Sequence, residues 1–138
     1  MRPPKNPPPR ALAVCVLVGS IAMTAGGYGP WAHAGTHTVW GSNSGGAGVG
    51  TAGLAAAVLA VLVVGGRRWP ASLILLLGAF SAAATAYYLV DPGTVVSDAG
   101  LKGHASRAWG LYLAFFGSVA TTGAALVIAR LRRRRSRA

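Results

Sequence analysis

Four long stretches of the chain carry almost no charge, and glycine-, proline- and arginine-containing segments separate them. The last is the plainest: between Arg107 and Arg130 there is no charged side chain. That is about the length a helix needs to cross a hydrocarbon core of roughly 30 Å at roughly 1.5 Å per residue. Three earlier runs repeat the pattern, so the predicted spans are residues 11–28, 48–65, 71–90 and 108–130. Gly65-Gly66-Arg67-Arg68 ends the second, and Pro70 suits the first turn of the third, where its missing N–H costs nothing. A connection this short makes those two helices antiparallel neighbours. Asp91-Pro92-Gly93 then stops the third helix. The expected fold class is an all-α membrane protein, a four-helix transmembrane bundle occupying residues 11–130.

The segments between spans differ in character. Gly26 to Gly48 is a glycine-rich loop without Asp, Glu, Lys or Arg. Within it Thr36-His37-Thr38-Val39-Trp40 has the β-branched and aromatic composition of a short strand. Thr94-Val95-Val96-Ser97 in the later loop has the same character, and pairing of the two would make a small β patch. Tyr28, Trp31 and Trp40 are placed to sit at the headgroup level as an aromatic belt.

Charge orients this arrangement. Eleven of the thirteen Lys and Arg residues fall before the first span, between the second and third, or after the fourth; only Lys102 and Arg107 fall elsewhere. Lys/Arg bias in the flanks holds those segments on the cytoplasmic side, so both termini are expected there, with the chain in a plasma membrane. The topological anchors are Arg67, Arg68, Arg130, Arg132, Arg133, Arg134 and Arg135. Residues 131–138 read as a basic cytoplasmic tail that also suits anionic lipid headgroups. Residues 1–10, with five prolines, read as a disordered basic tail. A signal peptide competes for the first run, because Ala32-His33-Ala34 supplies a small-x-small site beyond it. Only 11% of residues are charged and the mean hydropathy is +0.50. A soluble domain usually carries about 25% charged residues, so much of this surface belongs in lipid. The net charge of +11 would suit nucleic acid, but cations in blocks between apolar runs point to membrane orientation instead. Eleven arginines against two lysines suggest a GC-rich bacterial source.

In lipid, helices associate through close packing of small side chains. Rows at i, i+4 spacing offer such faces: Ala52, Ala56 and Ala60; Gly78, Ala82 and Ala86; and Gly110, Ala114, Ser118 and Thr122. These rows suit a tight bundle, a homo-oligomer or a larger membrane-protein partner.

Reactive chemistry is sparse. Apart from Arg130, which ends the fourth, no span contains Asp, Glu, Lys, Arg or His, which disfavours ion- or proton-driven transport and haem ligation between helices. Cys15 is the single cysteine, so no intramolecular disulfide or dithiol pair can form. His33, His37 and His104 are the metal candidates, since imidazoles near Asp91 and Asp98 could hold zinc or copper. Solvated histidines are the plainer expectation, and no cofactor, metal or catalytic residue is expected.

Gly110-Leu111-Tyr112-Leu113-Ala114 with Gly117, Gly123 and the polyarginine end resembles small four-span membrane proteins of actinobacteria, as do Pro30-Trp31 and the Arg-Arg turn. That resemblance implies a fold and no activity. The layout is also similar to claudin-like four-helix proteins, without the cysteine pair of their outer loop. The expected function is a non-enzymatic accessory, scaffold or interaction protein. The alternative is a small transporter or channel subunit working as an oligomer, with Ser118, Thr121 and Thr122 as its polar face.

Overall fold

The computed structural model describes residues 10–65 and 70–137. Four long helices dominate: α1 (Arg10–Tyr28), α2 (Gly46–Val64), α3 (Pro70–Val90) and, last in the chain, α5 (Trp109–Arg137). A short helix, α4 (Pro92–Asp98), and three strands, β1 (Pro30–Ala34), β2 (His37–Trp40) and β3 (Ala105–Arg107), lie between them. All four long helices are long and apolar enough to cross a membrane, the architecture of a multi-pass membrane protein. Large apolar side chains such as Val58, Leu76, Phe80 and Phe116 stand exposed on their outer faces. Residues 1–9 of the expected N-terminal tail lie outside the described residues, as do Arg67 and Arg68, while Arg10 opens α1 and residues 131–137 continue α5.

The helices form a closed ring. α1 packs against α2 and α5, and α3 completes the circuit by packing against the same two. The buried positions explain why. On α1 they include Ala13, Val16, Ser20, Met23 and Gly27; on α3, Ala71, Ile74, Gly78, Ser81 and Thr85. On α5 they include Gly110, Ala114, Gly117, Thr121, Ala124 and Ile128. Each row alternates steps of three and four, the period that keeps a seam facing its partner in a left-handed bundle. A strict i, i+4 row drifts by about 40° per step and leaves the seam after two turns. That drift explains the fate of the rows on α3 and α5, whereas the row on α2, which packs against both α1 and α3, stays buried throughout. Ala52, Ala56 and Ala60 are buried, and so is Gly78, but Ala82 and Ala86 turn half outward. Gly110 and Ala114 face α1, while Thr122 has rotated to meet Gly78 of α3.

Along the α1–α5 seam the two backbones touch. A Cβ placed on Gly117 would lie 2.6 Å from the Met23 nitrogen and 2.7 Å from the Gly19 oxygen. One on Gly26 would collide with the Ala114 nitrogen and lie 2.6 Å from the Gly110 oxygen. Between α1 and α2, a Cβ on Gly27 would lie 2.6 Å from the Gly50 Cα. These neighbours are backbone atoms of rigid helices, so they cannot rotate away.

The two loops at the far end from Arg130 meet in one antiparallel sheet of order β2-β1-β3. Ala34 pairs with His37 across a two-residue turn in which Gly35 has a φ of 59°, a conformation that glycine adopts freely. The β patch therefore joins both loops, and the expected strand at residues 36–40 is present as β2, but the second loop does not contribute through residues 94–97. Thr94-Val95-Val96-Ser97 is helical, and β3 supplies the third strand by pairing with β1. The local chemistry favours the helix: Asp91 caps it, with Oδ1 accepting from the Gly93 N–H at 3.0 Å, and Pro92 occupies its first turn. Val95 and Val96 are then buried side by side.

The seam generates a first prediction. Gly117→Val should destabilise the bundle by about 1–3 kcal/mol or block its assembly. Gly123→Ala, where an added Cβ meets nothing within 4 Å, should be neutral or mildly stabilising. Detergent-titration unfolding of the purified variants in micelles measures both.

Candidate functional site

Among the described residues charged side chains gather in two regions: the cap at the loop end and the arginines at the other. The cap is built on Trp31. Between Pro30 and Ala32 the register of β1 against β2 shifts by one residue, and the extra residue is Trp31. Such a bulge re-aims a side chain. Trp31 turns inward, is 0% exposed, and donates from Nε1 to the Gly26 carbonyl at 2.8 Å. It therefore does not join the headgroup-level belt expected of it, whereas Tyr28 and Trp40 are half exposed. Its neighbours are recruited in sequence. The Tyr88 ring lies 5.2 Å from the Trp31 ring, and the Tyr88 hydroxyl donates to Asp98 Oδ2 at 2.9 Å. Arg107 donates from Nε to the Leu89 carbonyl at 2.7 Å, which ties the end of β3 to the end of α3. Both acidic residues thus serve local structure: Asp91 caps α4 and Asp98 holds Tyr88.

The histidines occupy the outer side of this cap. His33 is exposed on β1, in register with Thr38 of β2 and Ser106 of β3, and its Nδ1 lies 3.2 Å from Thr38 Oγ1. His37 and His104 are also exposed. Among the described residues no three His, Cys, Asp or Glu side chains come together as a metal site would require. What the sheet presents is a hydroxyl–imidazole–hydroxyl row, suited to hydrogen bonding with a partner surface.

Among the described residues the bundle interior is closely packed. Ser20, Ser81, Thr85, Ser118 and Thr121 are fully buried in it. Ser20, Thr85 and Ser118 return their hydroxyls to carbonyls of their own helices at 2.6–2.7 Å, the local bonding that makes such residues tolerable in apolar surroundings. Ser81 Oγ and Thr121 Oγ1 are buried without a partner, and the Thr121 hydroxyl faces Gly19. A void of about 10 Å³ lies nearer the arginine end, lined by Ala13, Val16, Ala60, Val63, Ala71, Ile74, Ala125 and Ile128. It is apolar and barely the size of one water.

At the arginine end α5 runs on as one helix through Arg130, Arg132, Arg133, Arg134, Arg135 and Arg137. An open depression of about 270 Å³ on its flank is lined by Val127, Leu131, Arg130, Arg133 and Arg134.

Trp31 is the residue whose role sequence reasoning misassigned. An aromatic after Pro30 near a span end signals a headgroup anchor, and a bulge has no signature until its partner strand is known. Trp31→Phe, which removes the Nε1 donor and replaces the buried indole by a smaller aromatic ring, should lower stability by about 1–3 kcal/mol and loosen the cap. Tyr28→Phe, at an exposed hydroxyl pair, should change stability by less than about 0.5 kcal/mol. Hydrogen exchange at residues 30–40 and 105–107 separates the two.

These sites stand on their own geometry: no family model matches the chain, and no curated protein or solved structure matches it.

Proposed function

We propose that this chain is a non-enzymatic accessory or scaffold protein of a bacterial plasma membrane, acting through contacts made by its cap and helix faces. The observation that carries the reading is the contrast between interior and cap. Among the described residues the helices are closed on one another, with backbone contact along the α1–α5 and α1–α2 seams, and the void between them is apolar and about the size of one water. The cap is a built, ordered platform with an exposed His33, Thr38 and Ser106 row. A protein that converts or carries a small molecule needs a cavity to hold it. One that docks on another protein needs a rigid surface.

The alternative, a transporter or channel subunit active as an oligomer, needs a polar face shared between protomers. Its three candidate hydroxyls turn inward instead: Ser118 and Thr121 are fully buried and Thr122 is half-buried against Gly78. Ser81 and Thr121, buried without partners, are the polar atoms from which such a path would start.

The distribution of cations supports cytoplasmic termini and a cap on the outer surface. In a Cys15→Ala background, Ser106→Cys should react with a membrane-impermeant maleimide in intact cells, and Ser136→Cys only after permeabilisation. The reverse pattern would overturn this orientation. Purification in mild detergent at native expression should recover a larger membrane protein in stoichiometric amount. Recovery of this chain alone, as a homo-oligomer, would contradict the accessory reading.

A further inference from the structure

The arginine end of α5 has more positive charge than its structural duties require. α5 is 29 residues long, about 43 Å at the usual helical rise, whereas a hydrocarbon core needs about 30 Å. Its last two turns therefore emerge at the membrane surface, starting near Arg130. A helix C-terminus carries about half a negative charge, which one or two basic side chains offset. Six arginines stand here, and the chain's two carboxylate side chains, Asp91 and Asp98, are both in the cap at the opposite end. Of the six arginines, Arg130, Arg133 and Arg134 are exposed, and neither carboxylate side chain is at their end of the bundle.

The flank of α5 arranges this charge by depth. Val127, Arg130, Leu131 and Arg134 follow i, i+3, i+4, i+7 spacing and share one helix face, with Arg133 at its edge. Val127 lies one turn inside the apolar span, and Leu131 continues the apolar strip to the surface. Arg130, Arg133 and Arg134 are exposed around the depression of about 270 Å³. An apolar floor that dips into the hydrocarbon under a cationic rim matches an amphiphile with an anionic head.

We propose that this depression is a seat for one anionic phospholipid of the leaflet at the arginine end. Its phosphodiester is held by Arg130, Arg133 and Arg134, and an acyl chain lies along Leu131 and Val127. Guanidinium groups pair with phosphate oxygens in a planar, two-pronged geometry, which a zwitterionic lipid shields with its own ammonium. This proposal deepens the membrane reading above and rests on the α5 end lying at the bilayer surface.

The test is native mass spectrometry of the full-length protein in detergent, titrated with phosphatidylglycerol or phosphatidylcholine. One phosphatidylglycerol should bind per chain in preference to phosphatidylcholine. The double variant R130Q/R134Q should weaken that binding by about tenfold or more. The charge-matched R132Q/R135Q should stay within about twofold of wild type, because a site has a face and a diffuse charge does not. Val127→Asn should weaken lipid binding while leaving any binding of inorganic phosphate or a short oligonucleotide unchanged. Equal loss in both double variants, no preference for phosphatidylglycerol, or full displacement of the lipid by an oligonucleotide would overturn the proposal. Failure of the underlying membrane orientation is read separately, from the Ser136→Cys labelling pattern.

Discussion

The rest of the structure depends on the contact of two helix backbones along the α1–α5 seam. Gly19 and Gly26 on one helix meet Gly117, Gly110 and Ala114 on the other, at distances that leave no space for a side chain. In a lipid environment apolar side chains gain nothing by leaving their surroundings, so association has to come from packing contacts. Contacts are densest where backbones approach, and only glycine lets them. α1 then takes α2 as its other neighbour through Gly27, Gly50 and Gly53, and α3 closes the ring with Gly78 against Thr122. Small residues thus set the distances, and large ones such as Phe80 and Phe116 are left to face lipid.

The seam also positions the cap. Gly26 lies at its loop end, and its carbonyl accepts the Trp31 indole N–H. Gly110, at the start of α5, would bring a Cβ to within 2.5 Å of the Pro30 oxygen, so β1 lies directly on the end of the helix pair. The central strand is therefore clamped between the bulged tryptophan and the first turn of α5. β2 and β3 flank it, and Tyr88, Asp98 and Arg107 fasten the second loop to the end of α3. A built platform at the loop end follows from close packing of the helices.

Much of this was legible in the chain. The four spans, the hairpin between the second and third, and the end of the third at Asp91-Pro92 follow from hydropathy and helix-breaking residues, which act locally. The β patch was legible in kind but not in pairing. Thr94 to Ser97 has strand composition, yet the cap at Asp91 and Pro92 starts a helix there, and Ala105–Arg107 carries no strand signal beyond proximity to β1. The packing rows were half legible: an Ala/Gly-rich sequence offers rows at several spacings, and only a partner helix selects the alternating three–four row. Trp31 was misread because its burial depends on a bulge, which is a property of two strands. Ala82 and Ala86 turned half outward for the same reason, since the face buried on α3 is chosen by α5. Local signals reached the elements; the site residues depended on contacts between distant segments.

The central claim is that this bundle is closed and works by contact. Its most direct test is solute flux through proteoliposomes of defined composition, loaded in turn with protons, potassium, sodium and organic cations. The account predicts rates equal to those of protein-free vesicles, with no change on Thr121→Val or Ser81→Ala. Saturable flux that disappears in either variant would mean that the buried hydroxyls line a path, and would contradict the account.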